Sequence, residues 1–191
     1  MRRADLEHII RATADIADDD EIVVVGSQAI LGQFPDAPPE LLQSEDADVY
    51  PRNHPERADL VDGSIGELSP FHRTFGYYAH GVGPETAVLP GGWEDRLVPV
   101  QNENTRGVMG LCLEIHDLAV SKYVAGRDQD LAFVRSAHRH DLVDGPTLLR
   151  RLEATPLDDE RRRLVETRIR RDLEASAAER RAGSRPDDSR S

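Results

Sequence analysis

Residues 21–31 read EIVVVGSQAIL and residues 44–50 read SEDADVY, and the succession of these two stretches decides the fold. The run at 22–25 is short, β-branched and continuously apolar, with acids before it and Gly26 after it, which predicts a strand buried on both faces. Gly26 and Ser27 then open a short helix at 28–31. A glycine permits a tight strand-to-helix turn and a serine can cap the helix, while backbone N–H groups at a helix start favour phosphate. In the second stretch Ala47, Val49 and Tyr50 suit a strand, and Asp46 and Asp48 project to one side of it. Carboxylates paired in this way can converge on Mg²⁺ ions, and two such ions can clamp the attacking and leaving oxygens of a phosphoryl displacement. Taken singly, an N-capping serine and an acidic strand would account for either stretch without any ligand.

The rest of the chain is read outward from there. Leu6, Ile9, Ile10, Ala14 and Ile16 trace a helical stripe over 3–17, which ends at three aspartates. QFPDAPPELL at 33–42 holds three prolines and reads as a loop or flap. A helix is expected at 55–68 and a plain connection at 69–76. Strands are expected at 77–80 and 86–89, joined as a hairpin through Gly81 and Gly83-Pro84, and a further strand at 96–100. Helical patterns then occupy 113–125, 128–139, 148–152 and 158–180, with Pro156 as a break. The fold class is therefore α+β. Residues 1–104 carry a small mixed β-sheet flanked by helices, 105–180 form a helical C-terminal half, and the polar segment 181–191 is expected to be a disordered tail.

Composition narrows the function. The net charge of -12 over 191 residues argues against a general nucleic-acid or anionic-membrane binder. No apolar run reaches the roughly 18 residues of a membrane helix, and the N-terminal stretch has no apolar signal region, so a cytoplasmic protein is expected. A single cysteine, Cys112, lies among apolar neighbours and suits a buried thiol.

Of the 24 lysines and arginines, Lys122 is the only lysine. A compact ammonium and a planar guanidinium part company where phosphate or a proton is handled at close quarters, so the survival of one lysine singles it out. It lies in HDLAVSKYVAGRDQDLAFV, where a helix would carry Asp117, Ser121 and Lys122, and a bend at Gly126 would be followed by Arg127 and Asp130. An ordinary helical charge ladder would use the same residues.

Strand-Gly-Ser-helix, then Ser-x-Asp-x-Asp on a strand, then Asp-x-x-x-x-Lys on a helix with a later Arg-x-x-Asp, resembles the minimal nucleotidyltransferase domain of the polymerase-β superfamily. More narrowly, it resembles the AbiEii and MenT group of bacterial toxins and their uncharacterised relatives. The resemblance covers about residues 21–134. It implies that the α+β core is a nucleotidyltransferase core, that Gly26 and Ser27 touch the triphosphate of an NTP, and that Asp46 and Asp48 hold Mg²⁺. It further implies that Lys122 contacts phosphate and that Asp130 completes the site. Ser44 stands where the toxins carry Ser or Thr.

The implied activity is transfer of a nucleotidyl group from NTP to a hydroxyl of RNA or protein, with tRNA a possible acceptor and a cognate antitoxin a possible partner. A catalytically degenerate binding or regulatory module of the same fold is the competing expectation, and a helical scaffold with an acidic surface is a third.

Two features depart from the family pattern. The interval from Ser27 to Asp46 is stretched by the proline-rich segment, where about ten residues are usual. A third metal-binding carboxylate, expected on a neighbouring strand, has only Asp95 and Glu103 as candidates. Elsewhere, His138 and His140 are spaced so that a helix points them apart, which disfavours zinc. Trp93 suits a loop anchor better than a base-stacking platform. The arginines Arg161, Arg162, Arg163, Arg168, Arg170 and Arg171 could grip RNA, but interleaved acids favour a solvated, ion-paired helix.

Overall fold

In the computed structural model, which describes residues 1–183, the β-branched run becomes the middle strand of a five-stranded sheet. The strands are β1 Glu21–Val24, β2 Asp46–Pro51, β3 Tyr78–Gly81, β4 Val98–Val100 and β5 Met109–Cys112, in the order β3-β2-β1-β5-β4. β1 runs antiparallel to β2 and parallel to β5, while β2 and β3 are parallel and β4 and β5 antiparallel. Ile22, Val23 and Val24 are buried, as a central strand covered on both faces requires.

One layer against the sheet begins with α1 (Arg3–Ala17), whose Leu6, Ile9 and Ile10 are buried. It packs on β2 and on α3 (Ala58–Ile65). The short α2 (Ile30–Gln33) leads out of the Gly-Ser turn. The C-terminal helices are α5 (Ile115–Ala125), α6 (Asp128–Arg139), α7 (Gly145–Glu153) and α8 (Asp159–Gly183). α5 is apolar on nearly every side, with Leu118, Ala119, Val120 and Tyr123 buried, because α6, α7 and α8 pack around it. Gln33 Oε1 accepts from the Ile115 N–H at 3.2 Å, so the strand-turn-helix unit caps this central helix.

Several elements differ from the sequence expectations. The hairpin at 77–89 does not form: β3 pairs with β2 instead, and Pro84–Thr86 is a 3-10 turn closed by Thr86 N–H to Gly83 O at 3.1 Å. Pro84 fixes φ and supplies no N–H, which suits a turn and not a returning ladder. The expected connection at 69–76 contains α4 (Pro70–Phe75), started by Ser69, whose hydroxyl accepts from the His72 N–H at 3.1 Å. The helix expected at 55–68 is split into a 3-10 turn, Pro55–Arg57, and α3.

The largest difference is β5, a buried strand too short to show a period, which falls within the stretch 105–180 expected to be helical. It lies beyond residue 104 yet sits between β1 and β4, so that position does not separate the sheet from the helical half. The last helix continues through Gly183, so 181–183 are helical, and the remainder of the expected tail lies outside the described residues. Among the described residues no helix is long and apolar enough to cross a membrane.

Asp19 joins α1 to the sheet. Its carboxylate accepts from the N–H groups of Glu21 (3.0 Å), Asn53 (2.8 Å) and His54 (3.0 Å) and from the Asn53 side chain (2.9 Å). Burial alone would raise this carboxyl, but the converging donors hold it below the ordinary aspartate value. A carboxylate depressed in the folded state contributes stability above its unfolded pKa, and that contribution is lost as pH falls through the folded value. Asp19→Ala is therefore expected to lower stability by about 2 kcal/mol near pH 7. In urea unfolding the gap from wild type should narrow as pH is lowered below the ordinary aspartate range.

Candidate functional site

The parallel register of β2 and β3 places Asp46 beside Tyr78 and Asp48 beside His80. Residues alternating along a strand share a face, so Asp46, Asp48 and His80 face one side of the sheet. His80 Nδ1 is 2.9 Å from Asp48 Oδ1, and one potential ligand atom from each of the three lies within 4.8 Å of the others. The Ser44 hydroxyl donates to Asp46 Oδ1 and fixes its orientation. Burial, then the adjacent Asp46 charge, raises the Asp48 carboxyl above the ordinary aspartate range, while the His80 hydrogen bond and the Lys122 charge oppose the rise. Two carboxylates in mutual repulsion, with an imidazole beside them, form a donor set that fits a divalent cation.

Gly26 explains how Asp48 comes to lie there. Its φ of -83° and ψ of -169° are ordinary extended values, so the turn itself does not require glycine, contrary to the sequence reading. A Cβ at Gly26 would stand 2.8 Å from Asp48 Cγ and 2.9 Å from Asp48 Cβ, and would collide with Oδ2. Glycine is needed because a carboxylate lies against the backbone. The Val25 N–H donates to Asp48 O at 3.0 Å and locks the same point from the other side.

Beyond the turn, Ser27–Ala29 is a 3-10 turn and α2 adds only four residues. A helix this short contributes little macrodipole, so positive charge at this turn comes from Lys122 and not from a helix end. Sequence reasoning missed Gln28, which is buried and donates from Nε2 to Ser44 O at 3.1 Å, tying the turn to the start of β2. A lone amide in the apolar run VVVGSQAIL was its signal.

Lys122 extends from α5 into the same place. Nζ donates to Ser27 Oγ at 2.8 Å and to Asp130 Oδ1 at 3.0 Å, and lies 4.7 Å from the centroid of the Phe133 ring. The residue is 9% exposed. Gly126, at φ 66°, ends α5 in the left-handed conformation, and α6 then brings Asp130 back over Lys122. Asp130 is buried, and its Oδ2 has no hydrogen-bond partner.

A cavity of about 480 Å³ is lined by Ser27, Ser44, Asp46, Lys122, Phe133 and Arg139. Glu40, Leu41 and Gln43, from the proline-rich segment and just after it, also line it, so the inserted stretch is part of the cleft. His140 Nε2 holds it to α6 through Glu40 Oε1 at 2.6 Å.

Of the seven residues expected to form the site, Ser27, Ser44, Asp46 and Lys122 line this cavity, while Asp48 lies against Gly26 and Asp130 bonds Lys122. Others do not join them. Asp117 lies about 140° around α5 from Lys122. It is buried against Arg96, at 2.7 and 3.0 Å, and Arg151, at 3.1 Å. Asp95 and Glu103 are exposed and stand outside the group of potential metal ligands found among the described residues.

The remaining side chains serve packing. Burial pushes the Cys112 thiol up to about 12, which removes its nucleophilic form near neutrality. His138 bonds Tyr123 while His140 bonds Glu40, so they make no shared site. Trp93 packs against the core at the 3-10 turn Trp93–Arg96. Arg162 donates to the carbonyls of Leu152, Thr155 and Leu157, Arg168 to that of Tyr123, and Arg170 pairs with Glu166.

No curated protein and no solved structure matches the chain at a significant level. Residues 4–176 match a family model described as nucleotidyltransferase of unknown function, DUF6036, a span that holds the sheet, α5 to α7 and most of α8, and the chain belongs to that family.

Proposed function

We propose that this chain transfers a nucleoside monophosphate from an NTP to a hydroxyl of RNA or protein, with Asp46 and Asp48 holding a divalent cation, Mg²⁺ by the sequence reading. The observation that carries this reading is that the only lysine of the chain, nine-tenths buried, meets Ser27 on the wall of the cavity that Asp46 also lines. In such a transfer the acceptor oxygen bonds to the α-phosphorus, the bond from that phosphorus to the β-phosphate breaks, and pyrophosphate leaves as the hydroxyl proton is released. A cation at the two carboxylates would offset phosphate charge and acidify the acceptor hydroxyl.

The chain's own residues supply the rest. Lys122 presents a fixed positive charge to the non-bridging phosphate oxygens. The Ser27 hydroxyl accepts from Lys122 and has its own proton free to donate to a phosphate oxygen. Asp130 acts through Lys122, aiming the ammonium, and is a positioning residue. Ser44 aims Asp46 in the same manner. In the finer form of the proposal, on the resemblance to the AbiEii and MenT group, the protein is the toxin of a toxin–antitoxin pair and tRNA is its acceptor. The absence of Asp95 and Glu103 from the cleft favours the competing reading, a catalytically degenerate binding module.

The two readings separate in one assay. Purified chain incubated with each α-labelled NTP and bulk RNA should label the RNA only with a divalent metal present, and Asp46→Asn should reduce labelling by a factor on the order of 10²–10³. Label transfer unchanged in Asp46→Asn would remove Asp46 from the mechanism, and no transfer from wild type with any NTP or acceptor would favour the module.

Lys122→Arg keeps the charge but must fit a fork where an ammonium sits between Ser27, Asp130 and Phe133, so it should lose transfer nearly as fully as Lys122→Ala. Normal turnover in Lys122→Arg would remove the lysine from the mechanism. Gly26→Ala should displace Asp48, weaken metal binding by about tenfold or more and lower stability by about 1–3 kcal/mol. Calorimetric metal titration beside a thermal melt checks both parts.

A further inference from the structure

We infer that His80 is a third ligand to the cation held by Asp46 and Asp48, and that this set of two carboxylates and one imidazole takes an Mn²⁺-class transition ion in preference to Mg²⁺. The inference rests on the reading that Asp46 and Asp48 hold a divalent cation. The family resemblance implies a third carboxylate on a neighbouring strand. β3 is that neighbouring strand, and the residue it sets beside Asp48 is a histidine.

The geometry fits ligation. Asp46, Asp48 and His80 bring one donor atom each within 4.8 Å of one another, a spread that a single ion can bridge. The His80 side chain is about half exposed, at 53%, and can turn toward an ion without breaking core packing. Other histidines are committed elsewhere: His116 bonds Glu114 and the Asp144 N–H, His138 is buried against Tyr123, and His8 lies among Phe71, Phe75 and Tyr77. Asp48 is held from behind, by the Gly26 backbone and by Val25 N–H to its carbonyl, so its carboxylate is presented at a fixed place.

The donor chemistry then selects the ion. Mg²⁺ prefers an all-oxygen octahedron, while imidazole nitrogen suits first-row transition ions, and Mn²⁺ accepts both donor types. Exchanging a third carboxylate for a neutral imidazole also lowers the negative charge facing the ion by one. That loss weakens Mg²⁺, whose binding is largely electrostatic, more than it weakens an ion that gains from the nitrogen.

The test uses the full chain with metal alone. Mn²⁺ is titrated and followed by electron paramagnetic resonance, Mg²⁺ is added as competitor, and pulsed spectra are examined for ¹⁴N coupling to bound Mn²⁺. Wild type should bind Mn²⁺ at least about tenfold more tightly than Mg²⁺ and show imidazole ¹⁴N coupling. His80→Ala should lose the coupling and weaken Mn²⁺ by about tenfold or more. His80→Asp should keep metal binding, lose the coupling and reduce the preference for Mn²⁺ by about tenfold.

Circular dichroism on each variant confirms that it is folded. Mn²⁺ bound without ¹⁴N coupling, unaffected by His80→Ala but abolished by Asp46→Asn, would overturn the inference and leave the carboxylate site standing. Failure of wild type to bind either ion would overturn the cation reading and the inference together.

Discussion

Everything in the cleft depends on how closely the end of β1 approaches the start of β2. The two strands are antiparallel neighbours, Val25 N–H bonds Asp48 O, and the backbone of Gly26 lies against the Asp48 side chain. This contact tolerates no side chain at position 26, and it sets the carboxylate face and the Ser27 turn at a fixed separation. Gln28 reinforces it by bonding the carbonyl of Ser44 just ahead of the strand. The loop of residues 34–45 can therefore join the two strands without loosening the site, because its ends are pinned independently of its length.

The helical half answers this face with one buried positive charge, Lys122. Burying an ammonium is unfavourable unless it is paired and hydrogen-bonded. Asp130 supplies the pairing and Ser27 a second acceptor. The arrangement also accounts for the composition of the chain. Basic positions elsewhere take arginine readily, and the half-buried Arg162 and Arg168 show why, since their forks span several carbonyls at once or reach across helices. The pocket beside Phe133 accommodates a compact ammonium instead.

The α+β class was legible in the sequence, and so was the approach of Lys122 to Ser27, though not the pairing of every strand. The apolar run before Gly26 and the alternating aspartates carry their own geometry, because a strand's two-residue period fixes which side chains share a face. Lys122 and Asp130 could be placed together because Gly126 marks the bend between their helices. His80 was not legible: it joins the group only through the register between β2 and β3, a pairing between segments more than thirty residues apart that no local pattern encodes. The same blindness hid β5, whose four residues show neither alternation nor helical period, and produced a false hairpin at 77–89, where local breakers suggested a return that the sheet does not make. The clash that demands glycine at position 26 was not legible for a related cause, since the residue that excludes a side chain there lies twenty-two positions downstream.

The place of β5 has a consequence for the order in which the chain is assembled. β1 has one edge covered early, by β2, but its other edge waits for a strand about ninety residues later, and β4 has no partner until then. During synthesis the aspartates and the Gly-Ser turn therefore emerge as part of a half-sheet with an open, strongly apolar edge. α5 follows β5 almost immediately, so closing the sheet and delivering Lys122 are nearly one event. A nascent chain that has not yet reached that point holds the acidic half of the cleft and lacks its only lysine, so the cleft cannot be complete before the sheet is.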